Sequence, residues 1–333
     1  MSNKKIRFGI VGSNFITDLI LEAGAKDHRF EAAALYSRTA ERAAEFGDKH
    51  GIPHRFTSYM AMLESNLIDA VYIASPNYLH AEQSILAMRH GKHVLCEKPL
   101  AGNAREVKQM IDAAKENNVL LMEAMKSTLL PGFEAVRDNL HRIGTVRRYV
   151  ASYCQYSSRY DKLKEGIVLN AFKPELSNGA LLDIGVYTLY PLIVLFGKPQ
   201  SIKATGMLLP TGVDGQGCAL LQYGAADAVV FYSKIADSVL PSEIEGEEGF
   251  IRIDRINSIG EVTLTTRSGE SELLWRSDGE NDYIHEVRAF IDLVAEGKTE
   301  SPVNSFANSL ATAEVMDEIR CQIGVHYPAD GED

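Results

Sequence analysis

Ile6-Arg7-Phe8-Gly9-Ile10-Val11-Gly12-Ser13-Asn14-Phe15-Ile16-Thr17 is the stretch on which the reading of the fold turns. A short, mostly apolar run ends at a glycine, as a buried strand does, and from Phe15 apolar residues recur at helical spacing (Ile16, Leu19, Ile20, Ala23). A strand that feeds a helix through a glycine turn is where the GxGxxG dinucleotide fingerprint sits. Only its first glycine, Gly12, is kept; Asn14 stands at the second and Thr17 at the third. Asparagine tolerates positive φ better than other side chains, so the turn stays open to this sequence. The motif alone is weak, because many strand–helix turns carry a glycine for structural reasons.

Outward from that turn, strand and helix alternate. Strands are expected at 30–36, 70–74, 93–96 and 119–123, with helices at 15–25, 39–51, 79–90 and 104–117. Such alternation predicts an α/β fold: a doubly wound parallel sheet of Rossmann type over residues 1–125, with right-handed crossovers. After about residue 145 the pattern changes. Strand-like runs follow one another at 146–153, 201–208, 218–223, 228–235, 242–245, 250–254, 262–266 and 271–275, joined in places by short turns such as Ser268-Gly269. One helix is expected at 178–195, and two more, at 281–295 and 305–323, close the chain. Residues 126–333 therefore read as an α+β domain with a large, mostly antiparallel open sheet, its closing helices either staying with it or packing back on the first domain.

Bulk properties narrow the function. The chain has 333 residues, enough for two cores, and its 45% hydrophobic and 24% charged residues are those of an ordinary globular protein. The formal charge of −11 repels phosphate backbones, so nucleic acid is not an expected partner. Cys96, Cys154, Cys218 and Cys321 form no CxxC pair, which fits free thiols in a reducing, cytoplasmic setting. The first residues lack the long apolar core of a signal peptide, and the longest apolar run, 189–196, is far below the ~18 residues of a membrane span, so no membrane is expected. The nine histidines show no HExxH and no ligand clustering, so no metal is expected. The acidic tail 329–333 reads as frayed.

The second strand speaks to the cofactor. An NAD site usually carries an acid about 20 residues beyond the glycine turn, bonded to the ribose hydroxyls. Here the strand ends Tyr36-Ser37-Arg38-Thr39, with no acid to repel a 2′-phosphate and with Arg38 able to bind one. The expected cofactor is NADP(H), with NAD(H) as the alternative, held by Gly12, Ser13, Asn14, Phe15 and Ile16 at the first turn and by Ser37 and Arg38 at the second.

Three further motifs complete a pattern: Ser75-Pro76-Asn77-Tyr78-Leu79-His80 after one strand, Glu97-Lys98-Pro99 after the next, and Gly179-Ala180-Leu181-Leu182-Asp183-Ile184-Gly185-Val186-Tyr187 in the second domain. With these, nearly the whole chain resembles the Gfo/Idh/MocA oxidoreductase family, and within it the dimeric dihydrodiol dehydrogenase branch, whose DxGxY ending it shares where the family more often has DxGxH. Met122-Glu123-Ala124-Met125 also matches that branch, but the Lys126-Ser127-Thr128 that follows departs from the aromatic and arginine found after the MEA motif there. The resemblance implies a dehydrogenase or reductase acting on a small sugar, polyol, vicinal diol or carbonyl. It implies Lys98, Tyr187 and Asp183 as catalytic residues, with Ser75, Asn77, His80, Glu97 and Lys98 beside the cofactor.

The residue types suit that chemistry. Hydride transfer needs a group to move the hydroxyl proton and charge to stabilise the oxygen. A free tyrosine, with a pKa near ~10, is too weak a base at neutral pH, and a lysine cation beside it favours the phenolate. Lys98 and Tyr187 thus read as a pair; Asp183, four residues before Tyr187 and on the same helical face, orients the substrate hydroxyl or holds Lys98. His80 lines the same cleft or caps its helix, and Tyr156, Tyr160 and Phe172 wall the pocket or fill the core. Two other readings share the scaffold: an NAD-dependent glycosidase that retains its cofactor, and a non-catalytic NAD(P)-binding regulator. An open sheet leaves a bare face, which predicts a homodimer or higher homo-oligomer through the second domain.

Overall fold

β1 (Ile6–Val11) is buried along almost its whole length, as a central parallel strand must be when helices cover both faces of its sheet. The computed structural model describes residues 5–331. The first four residues, which entered the reading against a signal peptide, and the last two of the acidic tail lie outside them. Around β1 the chain lays α1 (Phe15–Gly24), β2 (Phe30–Tyr36), α2 (Ala40–His50), β3 (His54–Phe56), α3 (Tyr59–Glu64), β4 (Ala70–Ile73), α4 (His80–Arg89), β5 (His93–Glu97), α5 (Ala104–Asn117) and β6 (Leu121–Ala124). The six strands pair in the order β3-β2-β1-β4-β5-β6, all parallel. Winding runs outward from β1 to β3, then restarts on the other side with β4. The reversal between β1 and β4 is the crevice where such sheets bind ligands, outside the strands' carboxyl ends. Sequence reasoning passed over β3 and α3.

The rest of the chain builds a different layer. It contains α6 (Pro131–Asn139), β7 (Val146–Cys154), the short α7 (Tyr160–Lys164), a π-helical turn at Leu181–Gly185 running into α8 (Val186–Phe196), and then β8 (Ser201–Leu208), β9 (Asp214–Gln222), β10 (Asp227–Ser233), β11 (Ser242–Gly246), β12 (Gly249–Ile253), β13 (Glu261–Thr266) and β14 (Ser271–Arg276). Eight strands pair as β14-β13-β12-β11-β7-β10-β9-β8, antiparallel except for β7 beside β10. Alternation sorts the residues. Ala228, Val230 and Tyr232 of β10 point inward with Tyr149, Ala151, Ala219 and Leu221 onto Leu189 and Ile193 of α8, while Val229 and Phe231 face the other way. By length and apolarity the helical stretch Pro174–Phe196 matches a membrane span, but its apolar 18-residue window is 78% buried, as a core helix is.

Two compact units result. One comprises residues up to Ala101, Arg105–Ala124 and Asn281–Phe306; the other comprises Gly102–Ala104, Met125–Glu280 and Ala307 onward. The late helix α9 (Tyr283–Ala295) thus belongs with the parallel sheet: Phe290 meets Phe8 at 5.6 Å between ring centroids, and Asp292 takes a 2.6 Å bond from Arg29. Most of α10 (Phe306–Ile323) stays with the eight-stranded sheet. The described part of the tail, up to Gly331, departs from the frayed end expected of it. Asp330 accepts from both terminal nitrogens of the buried Arg320 (2.8 and 3.0 Å) and from the Tyr327 amide (2.8 Å), which fastens the chain there.

Candidate active site

In the parallel-sheet unit the functional residues gather where the strands end. Gly12 closes β1 at φ +104°, and a Cβ there would lie 2.4 Å from the carbonyl oxygen of Ala74, so only glycine lets β1 and β4 approach this closely. Asn14 does not use the positive φ open to it. At φ −108° it is the N-cap of α1: its Oδ1 accepts from the amides of Ile16 (2.9 Å) and Thr17 (3.2 Å), and its Nδ2 donates to Ala74 O (2.9 Å). Thr17, at the third fingerprint position, is buried and donates to Gly12 O. The two missing glycines are thus replaced by side chains that fasten the turn from within.

Beside this turn stands a residue that sequence reasoning missed. Arg42, in the first turn of α2, donates to Ser13 Oγ (2.9 Å) and Ser13 O (2.6 Å) and pairs with Glu45 (2.8 Å). Its place one helical turn after Arg38 was the available signal. Ser37 is fixed by its amide on Phe56 O, and Arg38 is exposed. Phe15 is 61% exposed at the head of α1, and Ile16 is half-buried.

The next two strand ends are braced against each other. The ring of His80 lies with Nδ1 2.9 Å from Pro99 O and Nε2 2.9 Å from Ser75 O, joining the turn after β4 to the turn after β5. Burial pushes its pKa down against the pull of those carbonyls. A neutral ring donates to one of the two; the imidazolium donates to both. At 1% exposure His80 acts by holding the turns in place. Ser75 Oγ donates to Gln83 (2.7 Å), Asn77 opens a single 3₁₀ turn, and the buried Glu97 accepts from Tyr72 OH (2.7 Å). Lys98 follows half-buried, and its peptide bond to Pro99 is cis.

These residues fit a dinucleotide. The glycine-tight turn, the head of α1 and the exposed cation of Arg38 stand at the carboxyl ends of strands β1 and β2, and the braced turns stand at those of β4 and β5.

In the eight-stranded unit, Asp183 sits on the π turn and Tyr187 in the first turn of α8. Tyr187 is buried, edge-on to Tyr153 at 5.6 Å between centroids. Asp183 is ion-paired with Lys234, which directly follows β10 and which the sequence reading places inside that strand. The Lys234 ammonium lies 5.5 Å from the centre of the buried Phe172 ring, and Phe172, Tyr160 and Tyr156 follow one another at 6.0 and 5.6 Å. A row of aromatic rings therefore stands beside the Lys234–Asp183 pair.

Comparison with known proteins agrees with this architecture. The model of the oxidoreductase family with the NAD-binding Rossmann fold matches residues 6–125, and that of the Gfo/Idh/MocA C-terminal domain matches residues 135–252. A scyllo-inositol 2-dehydrogenase (NADP(+)) from Bacillus subtilis (strain 168) is 53% identical, over 98% of this chain and 99% of its own. A trans-1,2-dihydrobenzene-1,2-diol dehydrogenase from Xenopus laevis is 33% identical, over 96% and 97%. Among solved structures, a 3-ketoreductase from Actinomadura kijaniata in complex with TDP-benzene and NADP is 27% identical and superposes with a TM-score of 0.82, covering 96% of this chain and 98% of that one. The chain thus belongs to the Gfo/Idh/MocA family, as its motifs implied, and is an oxidoreductase built on that family's NAD-binding Rossmann fold.

Proposed function

We propose that the protein is an NADP(H)-preferring dehydrogenase of cyclic polyols, with scyllo-inositol as the first substrate to try. The observation that carries the reading is the end of β2, where Ser37 and an exposed Arg38 stand in place of an acid. The 53% identity to an NADP-dependent scyllo-inositol dehydrogenase supports it.

A nicotinamide dinucleotide bound at the strand ends would supply the hydride donor or acceptor. The first turn, from Gly12 to Ile16, approaches the pyrophosphate with the remaining amides of its helix head, and Arg38 meets the 2′-phosphate. Asn77 and Glu97 take the nicotinamide ribose, with Ser75 beside them and His80 keeping the two turns in register. Lys98 donates a hydrogen bond to the substrate oxygen, Tyr187 takes or returns its proton, and Asp183 accepts from a neighbouring hydroxyl.

The test is a panel of inositols, aldoses and trans-1,2-dihydrobenzene-1,2-diol, followed at the nicotinamide absorbance with NADP+ and NAD+ side by side. Turnover of a cyclic polyol with NADP+ preferred is expected. Lys98→Ala and Tyr187→Phe should each lower kcat about a hundredfold or more while keeping the dissociation constant for NADP+. Full rates in both variants would remove the mechanism, and turnover of the dihydrobenzene diol alone would replace the substrate class. We also propose that the enzyme assembles as a homodimer through the face of the eight-stranded sheet that α8 leaves bare.

A further inference from the structure

We infer that Lys234 is a positioning residue for this reaction, its buried ammonium fixing the Asp183 carboxylate in the orientation that receives a substrate hydroxyl. The inference rests on the role proposed above for Asp183.

The two ends of the pair differ. The Lys234 side chain is 4% exposed and that of Asp183 is 38% exposed. Lysine is among the residues least often fully buried, and it needs a fixed partner where it is. The carboxylate, by contrast, keeps surface toward the outside. For stability alone, an apolar residue of similar volume would serve the core as well as this lysine. What the lysine adds is a fixed direction for an acid whose side chain stays 38% exposed.

Lys234 is itself held from three directions. Its amide donates to Gly215 O (2.8 Å), its carbonyl accepts from the Ser157 amide (2.8 Å), and its ammonium lies over the Phe172 ring at 5.5 Å. The neighbouring strand supports the other end of the same helical turn. Asp214, fully buried at the start of β9, accepts from the amides of Ala180 (3.1 Å) and Leu181 (2.7 Å). A Cβ at Gly179 would lie 2.1 Å from Asp214 Oδ1, which makes glycine necessary there. β9 thus anchors the backbone that carries Asp183 and Tyr187, while β10 sends Lys234 to the Asp183 side chain. None of these contacts requires Lys234 to touch substrate; it acts through Asp183.

The experiment compares Lys234→Met, Asp183→Asn and the double variant in the full-length enzyme, with scyllo-inositol and NADP+ as probes, and adds a crystal structure of Lys234→Met. Lys234→Met should lower kcat/KM for the polyol about ten- to a hundredfold, the scale of a lost charge-assisted hydrogen bond, and leave the dissociation constant for NADP+ unchanged. The double variant should be no slower than the slower single one, because both remove the same interaction. In the crystal the Asp183 carboxylate should have turned away. Multiplying effects, or an unmoved Asp183, would overturn the inference. If Lys234→Met does not accumulate as folded protein, Lys234→Arg decides instead: with the cation kept it must stay faster than Asp183→Asn, and equal loss overturns the inference. Full activity of Asp183→Asn and Tyr187→Phe would remove the site reading and this inference together. An impaired Asp183→Asn beside a fully active Lys234→Met would remove this inference alone.

Discussion

Arg38 stands exposed two residues past the end of β2, on backbone pinned by the pairing of Tyr36 with Phe56 and by the Ser37 amide on Phe56 O. A fixed backbone under a planar, permanently charged group is the cheapest way to tell a 2′-phosphate from a 2′-hydroxyl, since guanidinium and phosphate match in both charge and geometry. Arg42 has different work: with two bonds to Ser13 it braces the glycine turn. Arg38→Ala should therefore raise the Michaelis constant for NADP+ about ten- to a hundredfold and leave that for NAD+ nearly unchanged. Steady-state kinetics with both cofactors checks this, and an equal rise for both would mean that Arg38 supports the fold of the turn and does not read the phosphate.

At the scale of elements, the helical turn bearing Asp183 depends on a buried acid. Burial raises the Asp214 carboxyl from 3.8 to about 6, although the amides of Leu181 and Ala180 and the charge of Lys234 pull it down. An acid whose pKa is higher in the folded state gives its full stability below the unfolded value, near 3.8, and loses it as pH rises through about 6. The loss is roughly 3 kcal/mol, since each pKa unit is worth about 1.4 kcal/mol. Asp214→Asn cannot titrate, so its stability deficit against the parent should be largest near about pH 4 and narrow by that amount at neutral pH. Urea denaturation at the two pH values measures this, and a deficit independent of pH would contradict it.

That turn also shows what the sequence could not display. The chain reads as a helix over 178–195, with Asp183 and Tyr187 on one face, but residues 181–185 adopt the wider π register. No local pattern signals a π turn; it comes from contacts made far along the chain, such as Asp214 at its amides and Tyr232 against Gly185. Asn14 is a similar case, read as a tolerated turn residue and found as a cap. β3 and α3 escaped because they are short and carry little periodicity, and α6 because its one clear mark is Pro131 at the first helical position. The other strands of both sheets were legible because long apolar runs and strict alternation are imposed by burial itself. Lys234 was hidden inside one such run, where a lone charge in an apolar strand was the cue.

For the whole molecule, the question is what covers the outer face of the eight-stranded sheet. Strand register lines up one row of outward-facing side chains across all eight strands: Lys203, Leu220, Val229, Val150, Glu243, Arg252, Thr263 and Leu273. Its apolar centre is bordered by charges of both signs, and nearby Met207 and Phe231 are 50% and 36% exposed. Such a row matches a second copy of itself turned about a two-fold axis, because apolar centres meet while Glu243 is offered a lysine or arginine. The net charge of −11 disfavours unspecific contact between copies, so an association here has to rest on this local match. Burying the face removes large apolar groups from water at roughly 25 cal/mol per Å² of apolar area, and one carboxylate placed in the centre of the patch would lose its hydration on association. Size-exclusion chromatography with light scattering should therefore give a dimer at micromolar concentration. Leu220→Glu, made on a side chain already 47% exposed, should halve the mass without changing the circular dichroism spectrum. A parent protein that is monomeric under those conditions, or a Leu220→Glu variant that stays dimeric, would move the subunit contact away from this face.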